Sequence, residues 1–177
     1  MKHMNTAAFA VAACTIVHAS VSVVLTHRAL VSGGGTVVEK APRPTMVAGT
    51  PLKGIDKGAF RDADLSMVLV FSTSCSACRA SLSFYQRLAQ SAAGHTGVKF
   101  LVAVTDSIDD AGKILDAHGI AAPTLRVDAA VMDIVGTPTL VLCDREGRIL
   151  NSWLGKLDSE GENAVLAALG TSRSSTS

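Results

Sequence analysis

The feature that most constrains this chain is the stretch SMVLVFSTSCSACRASLSFYQRLAQ, in which an apolar strand runs into two cysteines that open an amphipathic helix. Met67 to Phe71 is a nearly unbroken β-branched and aromatic run, the pattern of a strand buried on both faces. Ser72, Thr73 and Ser74 supply the turn. From Cys75 onward the period changes, and Cys78, Leu82, Tyr85, Leu88, Ala89 and Ala92 recur every three or four residues along one helical face. A strand therefore delivers Cys75 to a helix N-terminus.

Spacing decides what the two sulfurs can do. Residues three apart across the first helical turn are neighbours and can close a small disulfide ring. Cys75 is expected to be the exposed thiol. Unsatisfied backbone N–H groups and the positive end of the helix dipole lower its pKa and raise its thiolate fraction near neutral pH. Cys78, one turn in, resolves the mixed disulfide. Arg79 reads as a solvated helix-surface arginine. Zinc would need two further ligands at matching spacing, and Cys14, Cys143 and the five histidines form no second pair of that kind. No metal site and no cofactor is expected, and an isolated CxxC between a strand and a helix fits redox chemistry.

From about Thr50 to Gly170 the chain resembles the thioredoxin-fold proteins, and among them the membrane-tethered bacterial thiol:disulfide oxidoreductases, the redoxin and cytochrome c maturation type. Three features carry the resemblance: the strand, CSAC and helix unit; the segment GTPTLVLCDREGRIL with its Thr137-Pro138 step; and the closing apolar helix ENAVLAALG. It implies an α/β fold of thioredoxin-like type, a central mixed sheet flanked by helices. It also implies that Thr137 and a cis Pro138 lie beside the cysteines and hold substrate. A cis X–Pro bond is uncommon and marks a tightly specified turn.

The chain departs from that family's pattern at several positions. Ser74 stands where a tryptophan usually precedes the first cysteine, and Ser76-Ala77 carries no proline. Ser81 stands where many of the tethered reductases have a glutamate thought to move protons. Leu69 occupies the strand position where thioredoxins place a buried aspartate. The sulfur chemistry survives these changes, whereas the proton relay and the partner-facing surface are not carried over.

At 177 residues the chain has room for one ordinary domain plus appendages. Its net charge of +1, with both signs interspersed, argues against a nucleic-acid partner. Residues 1–31 begin with a short basic start and continue with a largely apolar run from Ala7 to Leu25. This is a targeting segment, read as an N-terminal membrane anchor or as a cleaved signal peptide with small residues near Ala19. Val11 to Cys14 only loosely resembles a lipoprotein cleavage box. Either reading exports the domain, where a disulfide persists. Residues 32–49, with GGG and APRP, form a flexible linker.

Within the domain at residues 50–170, Thr50 to Phe60 is expected to form an extension packing on the domain edge. Val98 to Val104 reads as a second buried strand, and Asp106 or Ser107 caps a helix that runs through His118 and ends at Gly119. Pro123 to Val127 reads as a further strand, so that a helix and a strand are inserted into the minimal thioredoxin order. Leu140 to Cys143 and Arg148 to Trp153 form an antiparallel pair around a turn at Asp144 to Gly147. Asp158 starts the last helix, and residues 171–177 form a disordered tail. Cys143 reads as a small core hydrophobe, His95 and His118 as solvated side chains, and Trp153 as packing for the hairpin.

The expected function is thiol–disulfide exchange outside the cytoplasm, in the periplasm and held at the inner membrane. The expected partners are an exported disulfide-containing protein as substrate and a membrane-bound electron donor. Two other readings remain: a non-catalytic module whose cysteines bind copper or a partner, and a thiol peroxidase that would use Thr73 near Cys75.

Overall fold

The computed structural model describes residues 46–170. The targeting segment, most of the linker and the C-terminal tail expected from the sequence lie outside the described residues. Five strands form one mixed sheet: β1 (Leu65–Phe71), β2 (Val98–Val104), β3 (Thr124–Arg126), β4 (Thr139–Asp144) and β5 (Ile149–Leu154), in the order β3-β2-β1-β4-β5. β1 is central, parallel to β2 and antiparallel to β4. The helices are α1 (Ser76–Ala80), α2 (Leu82–Ala93), α3 (Ile108–Ala117), α4 (Ala129–Met132) and α5 (Ser159–Gly170). This is the mixed sheet flanked by helices that the sequence implies. Among the described residues no helix is long and apolar enough to cross a membrane.

Strand alternation divides the core between the two faces of the sheet. On one face Met67, Leu69 and Phe71 of β1 pack with Phe100, Val102 and Val104 of β2 against Leu82, Tyr85 and Leu88 of α2, Leu115 of α3 and Val165 and Leu169 of α5. On the other face Val68 and Val70 pack with Leu101, Ala103, Val141 and Cys143 against Leu52, Ile55, Phe60, Val127 and Met132. Every residue of β1 is buried, which is why its sequence shows no polar alternation.

The segment from Thr50 to Phe60 is a correction to the expected edge extension: it covers the second face of the sheet. Pro51 bridges to Arg148, and Lys57–Phe60 forms a 3₁₀ turn capped by the Asp56 carboxylate, which accepts from the Gly58 N–H at 2.7 Å. The turn inserts Phe60 into the core at 1% exposure, a burial that contributes about 2–3 kcal/mol. The β4–β5 turn closes over that ring. Gly147 has φ of +74°, and a Cβ there would meet Phe60 Cδ2 at 2.9 Å. Both the dihedral and the space demand glycine.

Three further differences from the sequence reading have local causes. The cysteine helix is not continuous. Ser81, at φ −107° and ψ 5°, divides it into α1 and α2, and its hydroxyl donates back to the Ala77 carbonyl at 2.9 Å, the bend that a back-bonding serine produces. The short helix α4 was not foreseen. Asp128 caps its start, and Asp133 ends it in the left-handed region at φ 62°. His118 is exposed as expected, whereas His95 is half-buried; Nδ1 of His95 and His118 lies 2.7 and 2.8 Å from the carbonyls of Ser91 and Ile114, four residues back at the ends of α2 and α3. Trp153 packs as expected, opposite Leu140 and against the helix-covered core. Asp158 caps α5 by accepting from the Gly161 N–H at 2.8 Å.

Candidate active site

Buried β1 ends at Phe71 and releases the chain into a tight turn, so that Cys75 arrives at the N-cap of α1 in extended conformation, at φ −80° and ψ 114°. Its sulfur occupies the place of a capping oxygen and accepts from the Cys78 N–H at 3.1 Å. Its thiol points across the site and donates to the Thr137 carbonyl at 3.2 Å. Cys78, on the inner side of α1, is fully buried. The CxxC pair thus presents one half-buried and one enclosed thiol.

Different surroundings drive the two thiols apart. For Cys75, partial burial opposes ionisation. That cost is outweighed by hydrogen bonds from Cys78 and Thr137 and from the backbone amides of Cys78 and Ala77, which hold its pKa below the ordinary 9.0. For Cys78, burial raises the pKa to about 12, and the neighbouring Cys75 raises it further. α1 is only five residues long, and of the two influences expected from the sequence, backbone N–H groups and helix dipole, the local amides of Cys78 and Ala77 are the ones that act on Cys75. Arg79 is exposed on α1 and is not among the groups acting on Cys75.

Thr137 and Pro138 lie beside this pair. The peptide between them is cis. Pro138 is buried, and its carbonyl accepts from the Gly155 N–H at 2.7 Å. The Thr139 hydroxyl donates to the Gly136 carbonyl, also at 2.7 Å. The loop is therefore fixed from both sides, and its half-exposed residue Thr137 faces the cysteine. Val135, 69% exposed, and Leu154, 45% exposed, give the loop an apolar rim.

Asp106 is a site residue that sequence reasoning missed. It follows β2, where it competes with Ser107 as the cap of α3. Ser107 takes that role and accepts from the Asp110 N–H. The Asp106 carboxylate instead turns to the loop that carries the cysteines. One oxygen, Oδ2, accepts from the Ser72 hydroxyl, the Thr73 N–H and the Thr73 hydroxyl, each at 2.8 Å, and from the Ser74 N–H at 3.3 Å. Partial burial would raise its pKa, but these donors lower it to about 2. Asp106 is a positioning residue: it fixes the three residues that set where Cys75 begins. Those partners are more than thirty positions upstream, so no local pattern announces them.

No protein-family model matches the chain, and no curated protein matches it in sequence. Solved structures match it in shape. The thioredoxin domain of a thiol-disulfide oxidoreductase from Bacteroides vulgatus superposes with a TM-score of 0.55 at 19% identity, covering 70% of this chain and 99% of that one. A thiol:disulfide interchange protein from a Bacteroides species gives 0.55 at 19% identity, with 73% and 95% covered. A secreted disulfide oxidoreductase from Mycobacterium tuberculosis, described as homologous to E. coli DsbE, gives 0.52 at 15% identity, with 70% and 96% covered.

Proposed function

We propose that this chain, whose fold is the thioredoxin-like one those structures share, is an extracytoplasmic thiol–disulfide oxidoreductase that reduces disulfides of exported proteins. The single observation that carries the reading is the Cys75 sulfur, half-exposed, bonded to the Cys78 amide and set against the Thr137 carbonyl, with an enclosed second thiol one turn away. The Cys75 thiolate attacks one sulfur of a substrate disulfide, forming a mixed disulfide and expelling the other substrate sulfur as thiolate. Cys78 then loses its proton to that leaving sulfur and attacks Cys75. The Cys75–Cys78 disulfide forms and the second substrate sulfur leaves as a thiolate that takes a proton from solvent, so two electrons have passed to the substrate. A membrane-bound donor returns the pair to the dithiol. An extended substrate segment lies along Gly136 and Thr137, held by main-chain hydrogen bonds as at a sheet edge, with Val135 and Leu154 against its apolar side chains.

The direction follows from what stabilises the thiolate. No histidine lies within the CSAC motif, and the donors to Cys75 are neutral groups, so its stabilisation is moderate and the disulfide a modest electron acceptor. The deciding experiment is equilibration with glutathione or dithiothreitol. A potential near that of thioredoxin, roughly −270 mV, is expected, and one above about −160 mV would make the protein an oxidant or isomerase instead. Against the peroxidase reading, the Thr73 hydroxyl is engaged as a donor to Asp106.

A further inference from the structure

At the end of the sheet opposite the cysteines lies an open cleft of about 440 Å³, lined by Pro51, Lys57, Arg61, Arg145, Glu146 and Arg148. It is cationic in a domain that is not. Residues 46–170 carry eleven Lys and Arg against fourteen Asp and Glu, a net charge of −3, yet four of those cations and one acid meet here. Two of the arginines are held in place by main chain: Arg145 Nε donates to the Arg61 carbonyl at 3.0 Å, and Arg148 donates to the Gly49 carbonyl at 3.3 Å. Arg145 also lies 3.8 Å from Asp64. Among the described residues Lys57, Arg61 and Arg148 have no ion-pair partner.

The position of the cleft identifies its partner. The chain enters the domain beside it, with the Gly49 N–H donating to the Ile149 carbonyl at 2.7 Å and the Ile149 N–H to the Thr50 carbonyl at 2.9 Å. The described part of the chain therefore begins at this end of the sheet. Cys75 lies at the other end. β4 runs from Thr139 by the site to Asp144 by the cleft, a span of about 17 Å.

We propose that this cleft docks the domain on the phosphate groups of anionic phospholipid head groups. An anionic surface repels the domain as a whole and attracts it at this face, which orients it with Cys75 and the Thr137 loop directed outward to soluble substrates. A chain already held at the surface needs only weak contacts of this kind. The inference rests on the membrane-held, extracytoplasmic reading given above.

The test uses the full-length protein on vesicles of phosphatidylcholine alone or with phosphatidylglycerol added, and reads acylation of individual lysines by mass spectrometry. Lys57 is expected to react about fivefold more slowly on the anionic vesicles at low salt, while exposed Lys113 on α3 reacts equally on both. The triple variant Arg61→Gln/Arg145→Gln/Arg148→Gln should lose the protection and keep disulfide exchange on a soluble peptide, which also shows that it folds. Equal reactivity of Lys57 on both vesicles, or protection that survives in the triple variant, overturns the proposal. So does equal protection by inorganic phosphate without vesicles, which would assign the cleft to a free anion. The Cys75→Ser variant separates this proposal from the enzymatic one: exchange is lost while the Lys57 footprint remains.

Discussion

Cys75 and Cys143 are the same residue type in two regions of one sheet, and they differ in almost every property that chemistry depends on. Cys143 sits within β4, opposite Ser66, and is completely buried among the residues of the second core. Burial there raises its pKa to about 12, with Asp144 adding to the effect. Cys75 sits just past the end of the neighbouring strand, where the backbone stops pairing and turns its amides toward the sulfur. A strand interior uses its N–H groups in the ladder and leaves none for a thiolate, whereas a helix start has N–H groups without partners. Reactivity here is a property of position relative to the sheet, and the substitutions below separate position from residue type.

The largest effect is expected at the site. Cys75→Ser should abolish disulfide exchange with the melting temperature nearly unchanged. Cys78→Ser should retain attack and accumulate mixed disulfides that non-reducing gels and mass spectrometry detect. Partners trapped by Cys75→Ser and absent with Cys78→Ser would exchange the two roles. Cys143→Ala is the counterpart: exchange persists, while chemical denaturation shows a loss of about 1–2 kcal/mol for the small void.

Asp106 links the site to its scaffold, since it shapes the site without touching sulfur. Asp106→Ala removes the acceptor of two hydroxyls and two amides and should cost about 1–3 kcal/mol. It should also move the pH profile of Cys75 alkylation, which loss of global stability alone does not shift. Because its folded pKa is lowered to about 2, from 3.8, its contribution is present above about pH 4 and is lost as the pH falls through 2. Acid unfolding of Asp106→Ala should therefore lack that part of the wild-type pH dependence.

The alkaline limb sharpens the contrast between the thiols. The Cys143 pKa is raised from 9.0 to about 12, so above pH 9 the unfolded chain releases a proton that the folded one keeps. Stability then falls as pH rises from 9 toward 12, by up to about 1.4 kcal/mol per pH unit for one thiol. Cys78 adds to the same slope, so the difference between wild type and Cys143→Ala isolates the Cys143 part. The smallest effect belongs to Ser66, opposite Cys143, whose buried hydroxyl has no hydrogen-bond partner among the described residues. Ser66→Ala should be neutral or stabilising by up to about 1 kcal/mol in the same denaturation assay.

What could be read from the sequence follows the range of the interactions involved. β1, the cysteine spacing, the hairpin at Asp144 to Gly147 and the start of α5 at Asp158 are legible because each is signalled by neighbours a few residues away. The break at Ser81 is hidden, since the apolar positions Cys78, Leu82 and Tyr85 keep helical spacing straight through it. The role of Asp106 is hidden because Asp106 and Ser107 both satisfy the local capping pattern, and only the approach of Ser72 to Ser74 decides between them. The placement of Leu52, Ile55 and Phe60 depends on which face of the sheet the long helices leave open, and a strand apolar on both faces does not reveal that.

The ionisation of Cys75 in the folded protein is the property on which its proposed chemistry depends most directly. The measurement is the pH dependence of iodoacetamide alkylation of the reduced protein, with each cysteine resolved by mass spectrometry. The expected result is a midpoint for Cys75 below the ordinary 9.0, with Cys143 unreactive across the same range until the fold opens. A Cys75 midpoint at or above 9.0, or alkylation of Cys143 as fast as that of Cys75, would contradict it.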